Sequence, residues 1–120
     1  MATQDHVCSI VPYFQIHPGK EEAFKEICER FIDKTNEESG CLYYGFSFDG
    51  NKAHCREAYK NADGLLAHLD NVGALIGEAL TISDITRLEV HGTKDELEKL
   101  YEPLKDLNPE YWYLEYGFRN

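Results

Sequence analysis

A chain of 120 residues, 42% hydrophobic and 28% charged, is the size of one folded domain and has the composition of a globular protein. Its formal charge of −10, from 22 acidic and 12 basic residues, argues against nucleic acid or an anionic membrane as partner, because either would approach against the overall field. No apolar run reaches the ~18 residues that span a bilayer, and the N-terminus MATQDHVCSIV has no basic region followed by an apolar stretch, so the expected address is the cytoplasm.

The first element is a strand over 7–16, VCSIVPYFQI, rich in β-branched and aromatic residues and closed by the turn signal His17-Pro18-Gly19. Pro12 cannot donate to a ladder, which predicts a bulge or an edge there. Over 20–37, Phe24, Ile27, Cys28, Phe31 and Ile32 follow the i, i+3, i+4, i+7, i+8 spacing of one helical face, and Gly40 ends the segment. Next, Leu42, Tyr44, Phe46 and Phe48 alternate along a strand that breaks at Asp49-Gly50-Asn51 before a second run, Lys52 to Tyr59, which predicts a hairpin.

Residues 62–80 form a helix with two adjoining apolar rows. On a 100° wheel, Ala62, Leu65, Leu66, Leu69, Gly73, Ile76 and Leu80 define the stripe expected to face a sheet, and His68, Val72 and Leu75 make a second row beside it. A helix apolar over that width is covered on two sides or lines a cavity with its extra row. Gly73 and Gly77 are expected to allow close backbone approach or to mark a break after Asn71.

ITRLEV, 85–90, is a further strand ended by Gly92, and Thr93 with Glu96 reads as a capping box before a short helix carrying Leu97, Leu100, Tyr101 and Leu104, kinked or ended near Pro103. The chain closes with an aromatic strand over 111–118, YWYLEYGF, with no obvious partner in its own chain. The acids on the helices, among them Glu21, Glu22, Glu26 and Glu29 and then Asp95, Glu96, Glu98 and Glu102, read as solvated faces. Cys8, Cys28, Cys41 and Cys55 show no metal-ligand spacing, which argues against a zinc or iron-sulfur site and suits reduced thiols.

The order β-α-β-β-α-β followed by α-β predicts an α+β fold: a ferredoxin-like βαββαβ unit, an antiparallel sheet with both main helices on one face, plus a C-terminal helix and strand. A single domain over 1–120 is expected, with its core at about 7–92 and an extension over 93–120. Large apolar residues on both sides of the second strand predict a homodimer packed sheet against sheet, with the C-terminal strand a candidate for exchange between subunits.

Four pieces carry a resemblance: His17-Pro18-Gly19-Lys20 before the first helix, the run Glu38-Ser39-Gly40-Cys41-Leu42-Tyr43-Tyr44 into the second strand, Arg56-Glu57-Ala58-Tyr59 ending the third, and Ala67-His68-Leu69 in the second helix. In that order they resemble the antibiotic biosynthesis monooxygenase-like (ABM) domain of the dimeric α+β barrel superfamily, over about residues 7–92. The resemblance implies the same ferredoxin-like protomer, a dimer and a pocket between sheet and helices. It implies no single chemistry, since relatives oxidise phenols or quinols with dioxygen and no metal or flavin, degrade haem, act on small signalling metabolites, or have no known activity. Haem degradation in the family uses a histidine late in the second helix, where this chain reads VGALIGEAL with Glu78, so haem is disfavoured and no cofactor is expected.

His68 is the first candidate for catalysis: either a histidine at the margin of an apolar face, bonded to a backbone carbonyl, or a general base in the pocket beside Val72 and Leu75. Glu57, the second catalytic candidate as a support to His68, shares a strand face with Cys55 and Tyr59 and needs a partner, Arg87 or His68; its alternative is a salt bridge that only pins the sheet. Tyr59 and Asn61 are candidates to orient a polar substrate, Asn61 equally to cap the helix at Ala62. Tyr44 and Trp112 are candidates to shape a pocket or simply to pack a core. The expected activity is a cofactor-independent monooxygenase acting on a small aromatic or quinol, and the alternative is a non-catalytic dimeric module that binds a small apolar ligand or serves in stress.

Overall fold

A computed structural model describes residues 3–120. The chain runs β1 (Cys8–Ile16), α1 (Glu21–Thr35), β2 (Cys41–Asp49), β3 (Lys52–Tyr59), α2 (Ala62–Ala79), β4 (Ser83–Gly92), α3 (Lys94–Glu98), a 3-10 turn at Lys105–Leu107 and β5 (Glu110–Tyr113). The sheet order is β2-β3-β1-β4-β5; the first four strands are antiparallel neighbours and β5 joins the edge parallel to β4. This is the ferredoxin-like α+β arrangement, each βαβ crossover leaving room for one antiparallel strand between its two arms.

β1 is central, so Pro12 does not mark an edge. Its missing donor falls next to an irregularity: the register with β4 shifts between Tyr13 and Phe14, which leaves Thr86 as the extra residue, its hydroxyl against the carbonyl of Tyr13 at 3.4 Å.

Both main helices lie on one face. From α1, Phe24, Ile27, Cys28 and Phe31 pack on Phe14 and Ile16 of β1 and Ala53 of β3, with Phe24 edge-on to Phe14, Phe46 and Phe48. Tyr44, Phe46 and Phe48 therefore point under the helices, not to a bare surface. The opposite face of the sheet carries Tyr43 beneath Arg56, Tyr13 beside His54, and Arg87 between Glu89 and Glu110. That face is amphipathic, which removes the expectation of a large apolar area on both sides of β2.

The two rows of α2 are exchanged relative to the wheel reading. The buried residues are Ala62, Leu65, His68, Val72, Leu75 and Ala79, so the row that looked marginal is the core seam. Leu66, Leu69 and Ile76 are half-buried, and Leu80 is 41% exposed. The wheel finds the apolar arc but not its centre, because the polar His68 sits in the middle of the face that docks. The helix is continuous, and a Cβ at Gly73 or Gly77 would meet nothing within 4 Å, so neither glycine serves a close contact or a break.

The C-terminal extension folds back on the chain's own sheet. Leu97, Leu100 and Leu104 are buried against Cys8, Ile10, Val90 and Leu65. β5 pairs with the end of β4 through Val90 and Tyr111, and Leu114 donates to the carbonyl of Gly92 at 2.7 Å, so the aromatic strand finds its partner within the chain. Pairing with β4 covers 110–113; beyond it Thr3 N–H donates to the Glu115 carbonyl at 2.9 Å, Tyr116 forms a single bridge, and Tyr116 and Phe118 are exposed.

Glu96 departs from the solvated-face reading. Thr93 precedes α3 without a side-chain cap, and Glu96, only 5% exposed, accepts instead from the backbone N–H of Ala62 at 2.9 Å, with Lys99 on its other oxygen at 3.0 Å. Together with Asn61, whose side chain accepts from Gly64 N–H at 2.9 Å, it caps the start of α2. Glu96→Ala leaves a buried N–H unpaired and is expected to cost about 1–3 kcal/mol, read as a lower denaturant midpoint at unchanged slope.

Candidate functional site

β3 places Cys55, Glu57 and Tyr59 on the side of the sheet that faces the helices, since side chains two apart share a face. α2 crosses above them with His68 and Val72 turned inward. All five are buried, Glu57 to 3% and His68 to 2% exposure. A carboxyl group and an imidazole taken out of water must be partnered, and these two meet each other: His68 Nε2 lies 3.3 Å from Glu57 Oε1. The Tyr59 hydroxyl donates to the same oxygen at 2.6 Å.

The second ring nitrogen meets a residue to which the sequence assigned no site role. His68 Nδ1 is 2.9 Å from Oε2 and 3.1 Å from Oε1 of Glu38, in the turn after α1. An ionised carboxylate only accepts, so Nδ1 is the donor and Nε2 is left as the basic atom of the ring. Asn71, three residues on from His68 in α2, donates to Glu38 Oε2 at 2.8 Å and to the carbonyl of Lys34 at 3.1 Å, which fixes the carboxylate from its far side. The turn is held close to α2 by two glycines. A Cβ at Gly40 would sit 3.2 Å from the Cα of Gly64, and the carbonyl of Gly40 accepts from Lys60 N–H at 2.9 Å. The aromatic rings of Tyr44 and Tyr59 flank the imidazole, with centroids at 5.2 and 4.9 Å.

Burial dominates the electrostatics. It pushes the Glu57 carboxyl up to about 7, with the charge of Glu38 adding to the rise and hydrogen bonds from Tyr59 and Cys55 opposing it. It lowers the pKa of His68, against the pull of Glu38, so the ring stays neutral near pH 7. Burial first, and the Glu57 charge second, raise Tyr44, Tyr59 and the Cys55 thiol far above their ordinary ranges, so none of the three ionises. At neutral pH the cluster therefore contains a neutral imidazole whose Nε2 lone pair faces the Glu57 carboxyl, itself poised between its acid and its base.

This cluster forms the polar end of a cavity of about 90 Å3 between α2 and the sheet. Tyr44, Cys55, Glu57 and His68 line that end. The walls are apolar: Ile10, Pro12 and Phe14 from β1, and Leu69, Val72 and Ile76 from α2. Leu80, Ile85 and Leu107, each at least 36% exposed, stand where the cavity opens. An apolar hollow with a few convergent polar groups at one end suits a small, mostly apolar molecule held by one oxygen function.

Of the residues singled out from sequence, Tyr44, Glu57, His68 and Val72 meet at this cavity. Tyr59 lies behind Glu57, and Leu75 packs in the core with Phe24 and Phe31. Asn61 is exposed and engaged as a helix cap, away from the hollow. Trp112 is on β5 at the opposite sheet edge, 49% exposed and stacked on His91 at 6.2 Å, so it shapes a different surface. Arg87 is on the far face of the sheet and leaves Glu57 to His68. Glu38 stood only as the first residue of the family-like run into the second strand, with no role of its own. The signal available for it was its place before Ser39-Gly40, a turn that must return the chain to the sheet across the next helix.

Among the described residues, no group of three or more His, Cys, Asp or Glu side chains is arranged to hold a metal ion, and no helix is long and apolar enough to cross a membrane. No curated protein matches the chain. The crystal structure of MupZ from Pseudomonas fluorescens superposes with a TM-score of 0.95 at 47% identity, covering 100% of this chain and 94% of that one. A conserved protein of Methanosarcina mazei gives a TM-score of 0.67 at 21% identity, over 73% of this chain and 93% of that one. A candidate antibiotic biosynthesis monooxygenase from Nitrosomonas europaea gives 0.69 at 18%, over 78% and 96%. The last two share the fold, and the family profile described as antibiotic biosynthesis monooxygenase matches residues 9–73, more than half of the chain. The chain belongs to the antibiotic biosynthesis monooxygenase (ABM) family.

Proposed function

We propose that the protein is a cofactor-independent monooxygenase that oxidises a small phenol or quinol in the apolar cavity. The observation that carries the reading is the neutral imidazole of His68, its basic Nε2 at the polar end of that cavity and its Nδ1 anchored on Glu38. A phenolic O–H placed at Nε2 gives up its proton to the ring. The electron-rich phenolate then transfers an electron to dioxygen, the resulting pair combines at a ring carbon, and the peroxide takes the proton back from the imidazole and loses water, leaving a quinone from a phenol or a hydroxyquinone from a quinol. The apolar walls favour entry of dioxygen and keep water from the intermediates. Glu57 and Tyr59 support the base by holding the Nε2 side of the ring in place.

The test is oxygen uptake by purified protein over a panel of quinols, with quinone formation followed in parallel. Consumption of one dioxygen per hydroxylated quinone, without release of hydrogen peroxide and absent under argon, supports the reading; no uptake across the panel, or peroxide formed one for one with unhydroxylated quinone, removes it. Ile76→Trp, which fills the cavity from α2, is expected to raise KM about tenfold or more without unfolding the chain.

A second reading has its own observation. Phenol oxygenation needs a base only, whereas Glu57 holds its proton up to about 7 beside a neutral histidine, and titratable neighbours with such separated roles suit acid-base catalysis without dioxygen. Turnover that persists under argon would select it. The non-catalytic binding module predicts ligand retention and no turnover in either gas.

The protein is further proposed to act as a homodimer joined through the outer sheet face. Tyr13, Tyr43, Arg56 and Arg87 lie on that face, and tyrosine and arginine are enriched at interfaces. Light scattering at micromolar concentration is expected to give twice the chain mass, and a monomer would contradict the dimer. Function in the cytoplasm is proposed on the same footing, and detection in a membrane or extracellular fraction would contradict it.

A further inference from the structure

We propose that Glu57, His68 and Glu38 form a proton relay that joins the buried cavity to bulk water through a second, polar depression on the far side of Glu38. The inference rests on the acid-base reading of the site and adds its route to solvent.

Two hollows flank the imidazole. Glu57 and His68 line the apolar cavity but not the other; Glu38 lines the other but not the cavity; Tyr44 is the partition common to both. The second hollow, about 200 Å3, is open to water at the end of α1, between Thr35, Asn36 and the start of β2 at Cys41. A base that takes a proton it does not hand back to the product must release it, and the lining of the cavity offers no polar exit of its own. Its mouth is lined by Leu80, Ile85 and Leu107, and a bound substrate would occupy it. The chain of heteroatoms is short: Glu57 Oε1 to Nε2 at 3.3 Å, then Nδ1 to Glu38 Oε2 at 2.9 Å. Asn71 holds Glu38 at 2.8 Å, so the outer acceptor is positioned as well as present.

The transfer balances without any further reagent. Protonated Glu57, or a substrate hydroxyl in its place, gives a proton to Nε2 as Nδ1 passes its own proton to the Glu38 carboxylate. The ring changes tautomer, the donor becomes an anion, and Glu38 becomes a neutral acid that releases its proton to water in the outer depression. The titratable groups facing the ring are Glu57, Tyr59 and Cys55 from β3, Tyr44 from β2, and Glu38 from the turn after α1. The tyrosines and the thiol stay protonated, so the two carboxyls set the charge around it.

The test uses full-length protein with 15N-labelled histidine and reads the exchange of the His68 ring proton with water by NMR, so it needs no substrate. Glu38→Gln keeps an acceptor for Nδ1 but cannot carry a proton, and Glu38→Ala opens the relay to the outer hollow. Exchange is expected to slow about tenfold or more in both, and added formate is expected to restore it in Glu38→Ala but not in Glu38→Gln. Unchanged exchange in a folded Glu38→Gln would overturn the relay, as would slowed exchange in Glu38→Ala that no concentration of formate restores. If Glu38→Ala does not fold, Glu38→Gln decides alone. Oxygen uptake by wild type on quinols is scored separately, so failure of the oxygenase reading leaves the exchange result standing, and failure of exchange leaves the oxygenase without this route.

Discussion

Replacing His68 with alanine is expected to lower the rate of quinol oxidation by about 10²- to 10⁴-fold, the range removed with a general base, while dioxygen and substrate still enter the cavity. The variant lacks the neutral imidazole, and only the partly ionised Glu57 is left to accept a proton at the polar end, since Tyr44, Tyr59 and Cys55 are all held protonated by burial. It also leaves Glu38 with Asn71 as its remaining partner, so a thermal melt must accompany the kinetics. A near-native rate with a lowered melting point would mean that the imidazole serves the core and not the reaction. If the loss falls on kcat with KM unchanged, His68 acts in the transition state, as a base must.

Glu57 makes the second large effect, on stability. Its folded-state pKa, about 7, lies above the ordinary 4.5, so the folded chain holds a proton there that the unfolded chain has already lost. Stability therefore falls as pH rises from about 4.5 towards 7, and stays lower above that range. The total is on the order of 3 kcal/mol, or roughly 10 °C in Tm for a chain of this size. His68 runs in the opposite sense: its lowered pKa makes the folded chain resist protonation, so its share of stability is lost as pH drops below 6.5. The two oppose each other on the acid side, and Glu57 is isolated above pH 6.5. Glu57→Gln still accepts from Tyr59 and no longer titrates. Its Tm is expected to gain on wild type steadily between pH 5 and 8, and a difference independent of pH would show that Glu57 ionises as freely when folded as when unfolded.

The parts of this site that were legible in the sequence are those written in local periodicity. Alternation along 52–59 put Cys55, Glu57 and Tyr59 on one face, and spacing along 62–80 put His68 with Val72 and Leu75. The centre of the α2 seam was not legible, because hydropathy ranks a histidine below leucine, whereas a buried histidine held by two carboxyls can occupy the middle of a docking face. Glu38 and Glu96 were hidden for a related reason. Glu96 looked like a solvated acid and Glu38 stood only in the family-like run into β2, and each has its partner more than 25 residues away, the N–H of Ala62 for Glu96 and His68 for Glu38. Long-range pairing leaves no local spacing to read. The aromatic C-terminal strand was expected over 111–118 but covers 110–113, and its neighbour was not legible, since a parallel partner such as β4 lies beyond hairpin distance.

The central claim is that burial beside a neutral histidine keeps the Glu57 carboxyl protonated up to neutrality, at the polar end of an apolar hollow. Titration of the Glu57 side-chain carbon by 13C NMR measures that directly, with Glu57→Gln identifying the signal. The account predicts a midpoint close to 7 that shifts in Glu38→Gln, where the nearby charge is removed. A midpoint at about 4, the ordinary carboxylate value, unmoved by that substitution, would contradict it.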